Sequence, residues 1–378
     1  MTAEPPEVGI GIVGYGMMGR AHAYAYTTVP HIRALPCRPR LRVMSGRHED
    51  AVAAAARRYG VEETASDWRA VVEHPEVDIV DVCTPPGTHA EIVAAAAGAG
   101  KAVICEKPLA VDLADAERAV AAVEQAGVPN AIGFNYRRLP ALSLMARMVQ
   151  EGRVGTPLLF RATFLSDEFL DPDIAFDWRF ERALGGTTIS DLGAHLIDLA
   201  LWLVGDIVEV SAQSATFATE RDDAGTRRAV EVDDASSALA AFASGARGTF
   251  EMARTCARRP CDFSVEVNGT AGTLRFDYPQ LNELWYGDAT EPGETYGMRR
   301  IRAEHESHSY AADWWPIGQG VGYDASFVNQ VADHLERWPD GGWDPDLRCG
   351  LRVQAVCDAM ERSAAERRWV AVAEVRAP

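Results

Sequence analysis

The first third of the chain groups its apolar positions into short β-branched runs separated by alanine-rich stretches of helical period. That rhythm marks βαβ units whose parallel strands are buried on both faces. Strands are predicted at Val8–Val13, Leu41–Ser45, Asp78–Cys83, Ala102–Cys105 and Pro129–Ile132, with helices at Ala51–Tyr59, Ala90–Ala97 and Ala114–Gln125. After Gly133 the rhythm changes. Helical segments near Leu139–Gln150 and Ser190–Val204 lead into strands at Val208–Phe217, Ala235–Phe242, Gly248–Arg254, Phe263–Val267 and Thr273–Phe276. Turn dipeptides such as Ser244-Gly245 and Asn268-Gly269 join neighbouring strands, which favours antiparallel pairing and an α+β second half. The stretch from Tyr286 to Gly320 has little periodicity and reads as a surface excursion near an active site or a subunit contact. Helical period returns at Phe327–Arg337 and Leu347–Arg367.

The motif Gly14-Tyr15-Gly16-Met17-Met18-Gly19 follows the first strand and opens a helix, the context in which GxGxxG signifies a dinucleotide site. Its first glycine permits the tight turn, its second admits a pyrophosphate to backbone N–H groups, and its third lets helix and strand pack. The expected fold is therefore an α/β Rossmann domain, a doubly wound parallel sheet over residues 1–133, followed by an α+β domain over 134–378 that binds substrate. The second strand ends Ser45-Gly46-Arg47, without the acid that reads an adenosine ribose. Space at Gly46 and charge at Arg47 tilt the expectation toward NADP over NAD, with Ser45 as an alternative ribose partner.

Composition narrows the function classes. With 37 basic against 55 acidic residues the net charge is −18, which disfavours nucleic acid and anionic membrane as partners. Seven cysteines without a CxxC suggest neither a disulfide framework nor a zinc ribbon, and a reducing cytoplasm is expected. The first ten residues leave no room for a signal peptide, and no apolar run is long enough to span a bilayer. Lys101 and Lys107 are the sole lysines; Lys101 reads as a solvated turn charge.

Thr84, Pro85 and His89 follow the third predicted strand, and Glu106-Lys107-Pro108 follows the fourth, at carboxyl edges where open α/β sheets place ligands. His89 is placed to cap the next helix or to play a structural role, with approach to a nicotinamide as the alternative. Farther on, Gly185-Gly186 leads to Asp191, Gly193, Ala194, His195 and Asp198. On one helix, Asp191 and His195 share a face, and Gly193 and Ala194 keep the nearby surface low for a flat ring. Tyr136 and Arg137, at the domain junction, and Trp178 and Arg179, upstream of the Gly-Gly pair, are candidate substrate contacts. Domain packing for the first pair and core packing for Trp178 compete with that reading. His305, His308, Glu304 and Glu306 lie in an irregular segment and do not suggest a metal.

These motifs together resemble the glucose-fructose oxidoreductase, inositol dehydrogenase and rhizopine-catabolism family (Gfo/Idh/MocA), from Val8 to about Val372. The resemblance implies a second domain with a large, open, mostly antiparallel sheet, assembly into a homodimer or homotetramer, and a catalytic set of Lys107, Asp191 and His195. In that setting the expected reaction is NAD(P)-dependent oxidation of a secondary alcohol in a sugar, anhydrosugar or cyclitol. His195 would be the base, Asp191 would orient its ring, and Lys107 would stabilise alkoxide character while touching cofactor and substrate. Lys107 and His195 remain interchangeable as proton carrier. Two other readings fit the same fold: a redox-assisted enzyme that breaks a glycosidic or C–O bond with tightly held cofactor, and a nucleotide-sensing regulator without turnover.

Overall fold

The structure is a computed structural model that describes residues 5–376, and the chain divides into two units: Met1–Arg138 with Gly322–Leu351, and Leu139–Val321 with Arg352–Pro378. In the first unit, β1 (Glu7–Val13), β2 (Arg38–Ser45), β3 (Glu63–Ala65), β4 (Ile79–Val82), β5 (Ala102–Cys105) and β6 (Asn130–Ile132) form one sheet. Its order is β3-β2-β1-β4-β5-β6, with every pair parallel. Helices α1 (Met17–Ile32), α2 (Glu49–Tyr59), α3 (Arg69–Glu73), α4 (His89–Gly98) and α5 (Leu113–Ala126) connect the strands. Residues of β1, β4 and β5 are buried almost without interruption, as helices on both faces require. Strand β3 was not legible in the sequence, because Glu63, Thr64 and Ala65 have neither apolar run nor alternation.

The expected division at residue 133 does not contain the return of Gly322–Leu351 to the first unit. Its cause is an apolar face. Helix α8 (Asp324–Glu336) buries Phe327, Val328, Val331 and Leu335 and packs against α1. Arg138 ties the return through Asp333 Oδ2 (3.1 Å), and Asn135 Nδ2 donates to Ser326 Oγ (2.7 Å). His334 of α8 lies fully buried against the Trp343 indole, ring centroids 4.9 Å apart.

The second unit holds α6 (Pro140–Gln150), β7 (Pro157–Leu165), α7 (Ala194–Leu203), β8 (Ile207–Ala215), the hairpin β9 (Glu220–Asp223) and β10 (Thr226–Ala229), and β11 (Ala235–Phe242). It continues through β12 (Arg247–Ala253), β13 (Asp262–Gly269), β14 (Gly272–Asp277), β15 (Glu283–Asp288), β16 (Arg299–Arg302), most of α9 (Leu347–Glu366) and β17 (Val370–Ala371). Nine strands make a mixed, mostly antiparallel sheet ordered β16-β15-β14-β13-β7-β12-β11-β8-β17; only β7 and β12 run parallel. Alternation puts Phe250 and Met252 of β12 in the core and leaves Thr249 and Glu251 exposed on the other face. The 286–320 stretch is partly ordered into the sheet, since β15 ends in it and β16 lies wholly within it. Among the described residues no helix is long and apolar enough to cross a membrane.

Burial, with Arg138 and His22 nearby, holds the His334 imidazole well below its usual value of 6.5. Burial likewise lowers His89. The native chain therefore stays neutral at these rings while the unfolded chain takes up protons below pH 6.5, so stability present above that pH is lost on acidification. Between pH 7 and pH 5.5 the urea midpoint of His334→Phe should fall less than that of the intact chain. An undiminished fall in the variant would contradict the neutral burial of His334.

Candidate functional site

At the carboxyl edge of the first sheet the chain leaves β1 through Gly14, whose φ of +108° is one that L side chains rarely adopt. Its N–H donates to the Ser45 carbonyl (3.0 Å), and a Cβ there would stand 2.6 Å from the Cys83 carbonyl oxygen. Gly19 is as constrained: a Cβ would lie 2.0 Å from the Gly14 carbonyl oxygen. Gly16 is different. It is exposed, and nothing stands within 4 Å of where its Cβ would be. Two glycines thus close the turn against the sheet, while the middle one leaves open room at the N-terminus of α1, beside exposed Met17 and half-buried Met18. Backbone N–H groups at a helix start with free approach suit a pyrophosphate, so the residues present fit a dinucleotide.

The adenosine end departs from the expectation in two respects. A Cβ on Gly46 would meet the Tyr15 ring at 2.1 Å, so the space assigned to Gly46 is filled by Tyr15. Ser45 is buried, and its hydroxyl lies inside the sheet edge rather than at the surface. Arg47 is exposed. Tyr15 was missed because the variable positions of GxGxxG carry no local signal of where their side chains fold back.

The loops after β4 and β5 are cross-tied. Thr84 and Pro85 are half-buried, and Thr88 Oγ1 donates to Thr84 Oγ1 (2.7 Å). His89 is completely buried, with Nε2 2.7 Å from the Thr84 carbonyl oxygen and Nδ1 2.9 Å from that of Pro108. It caps no helix; it holds the two loops together. Glu106 is buried, and its Oε2 accepts from the Lys107 N–H (3.2 Å), while the Lys107 side chain is half-buried. Tyr136 and Arg137 are buried within the same unit. Tyr136 packs on Tyr323 with centroids 5.7 Å apart, and Arg137 pairs with Asp344 at 3.7 Å. Lys101 is not a solvated charge, because its Nζ donates to the carbonyls of Val77 (2.7 Å) and His74 (3.2 Å).

In the second unit, Gly185 turns with φ +88°, and a Cβ on Gly186 would collide with the Arg179 carbonyl oxygen at 1.7 Å. The segment Ile189–Gly193 that follows is a π turn, and α7 begins only at Ala194. Asp191 and His195 therefore belong to successive elements rather than one regular helix; such π turns recur at functional sites. Gly193 and Ala194 are buried, with Met252 opposite Gly193 at ordinary contact, so they serve packing and not an open surface.

Asp191 is half-buried, with its Oδ2 3.6 Å from Nη2 of Arg254, an arginine wholly enclosed beneath it that also bonds the Gly186 carbonyl. His195 is buried against the Phe164 ring, centroids 6.2 Å apart. Thr188 N–H donates to Asp233 Oδ1 (3.0 Å), and Thr187 Oγ1 donates to Glu361 Oε1 (2.9 Å), which pins the approach to the π turn. Trp178 and Arg179 are half-buried and stacked, the guanidinium 4.6 Å from the ring centroid. Trp178 is not core; Phe180 is. Arg254, Asp233 and Glu361 were missed because nothing in sequence links them to a segment tens of residues away.

A family model described as "Oxidoreductase family, NAD-binding Rossmann fold" matches residues 8–134, and one described as "GFO/IDH/MocA C-terminal domain" matches residues 143–275. The chain is 35% identical to a levoglucosan dehydrogenase of Pseudarthrobacter phenanthrenivorans, over 97% of its own length and 99% of that protein's. A crystal structure of an oxidoreductase domain protein from Kribbella flavida is 42% identical with a TM-score of 0.94, covering 97% of this chain and 99% of that one. A levoglucosan dehydrogenase in complex with NADH and levoglucosan is 34% identical with a TM-score of 0.93, at the same coverage.

The contrast between Gly16 and Gly19 is directly testable. Gly16→Ala should weaken NADH binding at least about tenfold while the thermal midpoint stays within about 2 °C, because the added methyl meets ligand and not protein. Gly19→Ala should lower both. Equal loss of stability in the two variants, measured by calorimetry and fluorescence titration, would contradict the assignment.

Proposed function

The chain belongs to the GFO/IDH/MocA family of NAD-binding oxidoreductases, and from that membership we propose that it oxidises a secondary alcohol of an anhydrosugar, or of a related sugar or cyclitol, with NAD as coenzyme. The single observation that carries the substrate class is likeness to levoglucosan dehydrogenase across both units at nearly full length. NAD is preferred over NADP in this reading because the Tyr15 ring stands over Gly46, where a 2′-phosphate would need room. A structural relative also holds NADH. A reducing cytosolic setting accords with seven cysteines, none of which forms a disulfide among the described residues. Assembly as a homodimer or homotetramer belongs to the same reading.

Bound at Gly14, Gly16 and Gly19, the coenzyme supplies the hydride acceptor. The chain must supply the rest. His195, an imidazole able to take a proton near neutral pH, removes the hydroxyl proton of the alcohol. Asp191 fixes the ring's orientation and favours its charged form once the proton has moved, and buried Arg254 limits how far that carboxylate can shift. Lys107, on a loop secured by Glu106 and His89, donates to the reacting oxygen as negative charge builds on it. The half-buried Trp178 offers a flat apolar face against which the C–H side of a pyranose can lie, with Arg179 as a hydroxyl donor.

His195→Ala and Lys107→Ala should each lower kcat at least about a hundredfold with the Kd for NADH changed less than about threefold. Near-normal turnover in either variant would remove that residue from the chemistry. In a parallel screen of levoglucosan, inositols and free pentoses against both coenzymes, levoglucosan with NAD should give the highest kcat/KM, read as absorbance of the reduced nicotinamide. Strict preference for NADP would contradict the role given to Tyr15, and sugar conversion without net reduced coenzyme would support the redox-assisted cleavage chemistry instead.

A further inference from the structure

Beneath the coenzyme edge of the first sheet lies a sealed polar cluster that meets the Lys107 loop through Glu106. His22 of α1 is 1% exposed, Asp81 of β4 is wholly buried, and Glu106 at the end of β5 is 3% exposed. His22 Nδ1 stands 2.8 Å from Asp81 Oδ2, and its Nε2 stands 3.0 Å from Glu106 Oε1. A neutral imidazole has one N–H and one lone pair, so it would satisfy one carboxylate and present a lone pair to the other. Two carboxylate partners at hydrogen-bond distance call for two N–H groups.

We infer that His22 is held as an imidazolium between Asp81 and Glu106 and is a positioning residue for Lys107. The link runs through Glu106, whose Oε1 meets His22 and whose Oε2 accepts the Lys107 backbone N–H at 3.2 Å. Gly133 makes room for that carboxylate, since a Cβ there would stand 2.4 Å from Glu106 Oε1. His89, on the Pro108 carbonyl at 2.9 Å, secures the other side of the same loop. Lys107 is thus braced from both sides by buried imidazoles.

The other groups facing His22 agree with a protonated ring. Burial alone pulls its imidazole down, but its polar neighbours, the Asp81 carboxyl first among them, outweigh it and hold the ring well above its usual value. From α1, Tyr26 is pushed up by burial and by Asp81; from the strands, Cys83 is pushed up to about 12 and Cys105 is raised, so all three stay neutral at ordinary pH. From α8 come the Phe327 ring, with centroid 5.7 Å away, and His334, which burial keeps neutral. Potential ligand atoms of His22, Asp81 and Cys83 lie within 4.8 Å of one another, and here they bond one another: both ring nitrogens face carboxylates and the Cys83 thiol donates to Asp81 Oδ1 (3.4 Å).

This inference takes Lys107 as catalytic from the proposed function, and its test keeps the two apart. In the full chain labelled with 15N-histidine, both His22 ring nitrogens should keep protonated shifts to at least about pH 8.5. His22→Gln assigns the resonance, and Asp81→Asn serves if that variant does not fold. Neutral-ring shifts at pH 7.5 would overturn the ion triad. Kinetically, His22→Gln should lower kcat at least about tenfold while KM for NAD moves less than about threefold, and adding Glu106→Gln should cost less than about threefold more, because both act on one path. Wild-type kcat in His22→Gln, or fully multiplicative losses in the pair, would overturn the positioning role. Wild-type turnover in Lys107→Ala would sink the catalytic reading of the lysine and the positioning role with it, while the nitrogen shifts still decide the triad.

Discussion

A parallel sheet in the order β3-β2-β1-β4-β5-β6 must send its connections to opposite faces on either side of the β1/β4 pair, and this reversal parts the loops at its carboxyl edge. Everything proposed for the first unit depends on that parting. Gly14 exists where the backbone passes between Ser45 and Cys83, Gly19 where α1 returns onto the turn, and Gly16 where nothing presses back. The same edge delivers the β4 and β5 loops, which His89 and Glu106 then fasten. Enclosing ionised carboxylates next to this edge would be unfavourable by several kcal/mol per ion without compensation. The His22 contact supplies the compensation and turns a liability of the core into a brace for the loop.

The second unit solves a different problem. Asp191 and His195 must be held near a sheet that sets Met252 of β12 against the π turn at Gly193 and Phe164 of β7 against the His195 ring. A π turn carries Asp191 into the start of α7, and the fully enclosed Arg254 rises from the end of β12 to meet it. Gly186 is fixed by its approach to the Arg179 backbone, which couples the half-buried Trp178-Arg179 pair to the same turn. Asp233 and Glu361 secure the intervening threonines.

Much of this was legible in the sequence, for physical reasons that also define what was not. Strands buried on both faces write themselves as β-branched runs, so β1, β4 and β5 were placed within a residue or two. The glycine motif and the Glu106-Lys107-Pro108 loop could be read because their chemistry is local. Strand β7 was not read. Leu158 and Leu159 are exposed in succession, which breaks the alternation expected of a half-buried strand. The return of 322–351 to the first unit is a tertiary choice between apolar faces, and periodicity shows a face without naming its partner. The filling of Gly46 by Tyr15, the brace from His22 and the floor under Asp191 are likewise side-chain encounters between distant positions.

Direct redox chemistry on a sugar carbon moves a hydride from that carbon to the nicotinamide, and isotopic labelling follows the transfer. Levoglucosan carrying deuterium on its ring carbons should be oxidised with NAD so that one deuterium per turnover appears at the nicotinamide of the released coenzyme, detected by mass spectrometry, with a slowed rate. Reduced coenzyme that carries no deuterium, or sugar consumed with none of the label leaving its carbon, would rule out hydride transfer from the sugar.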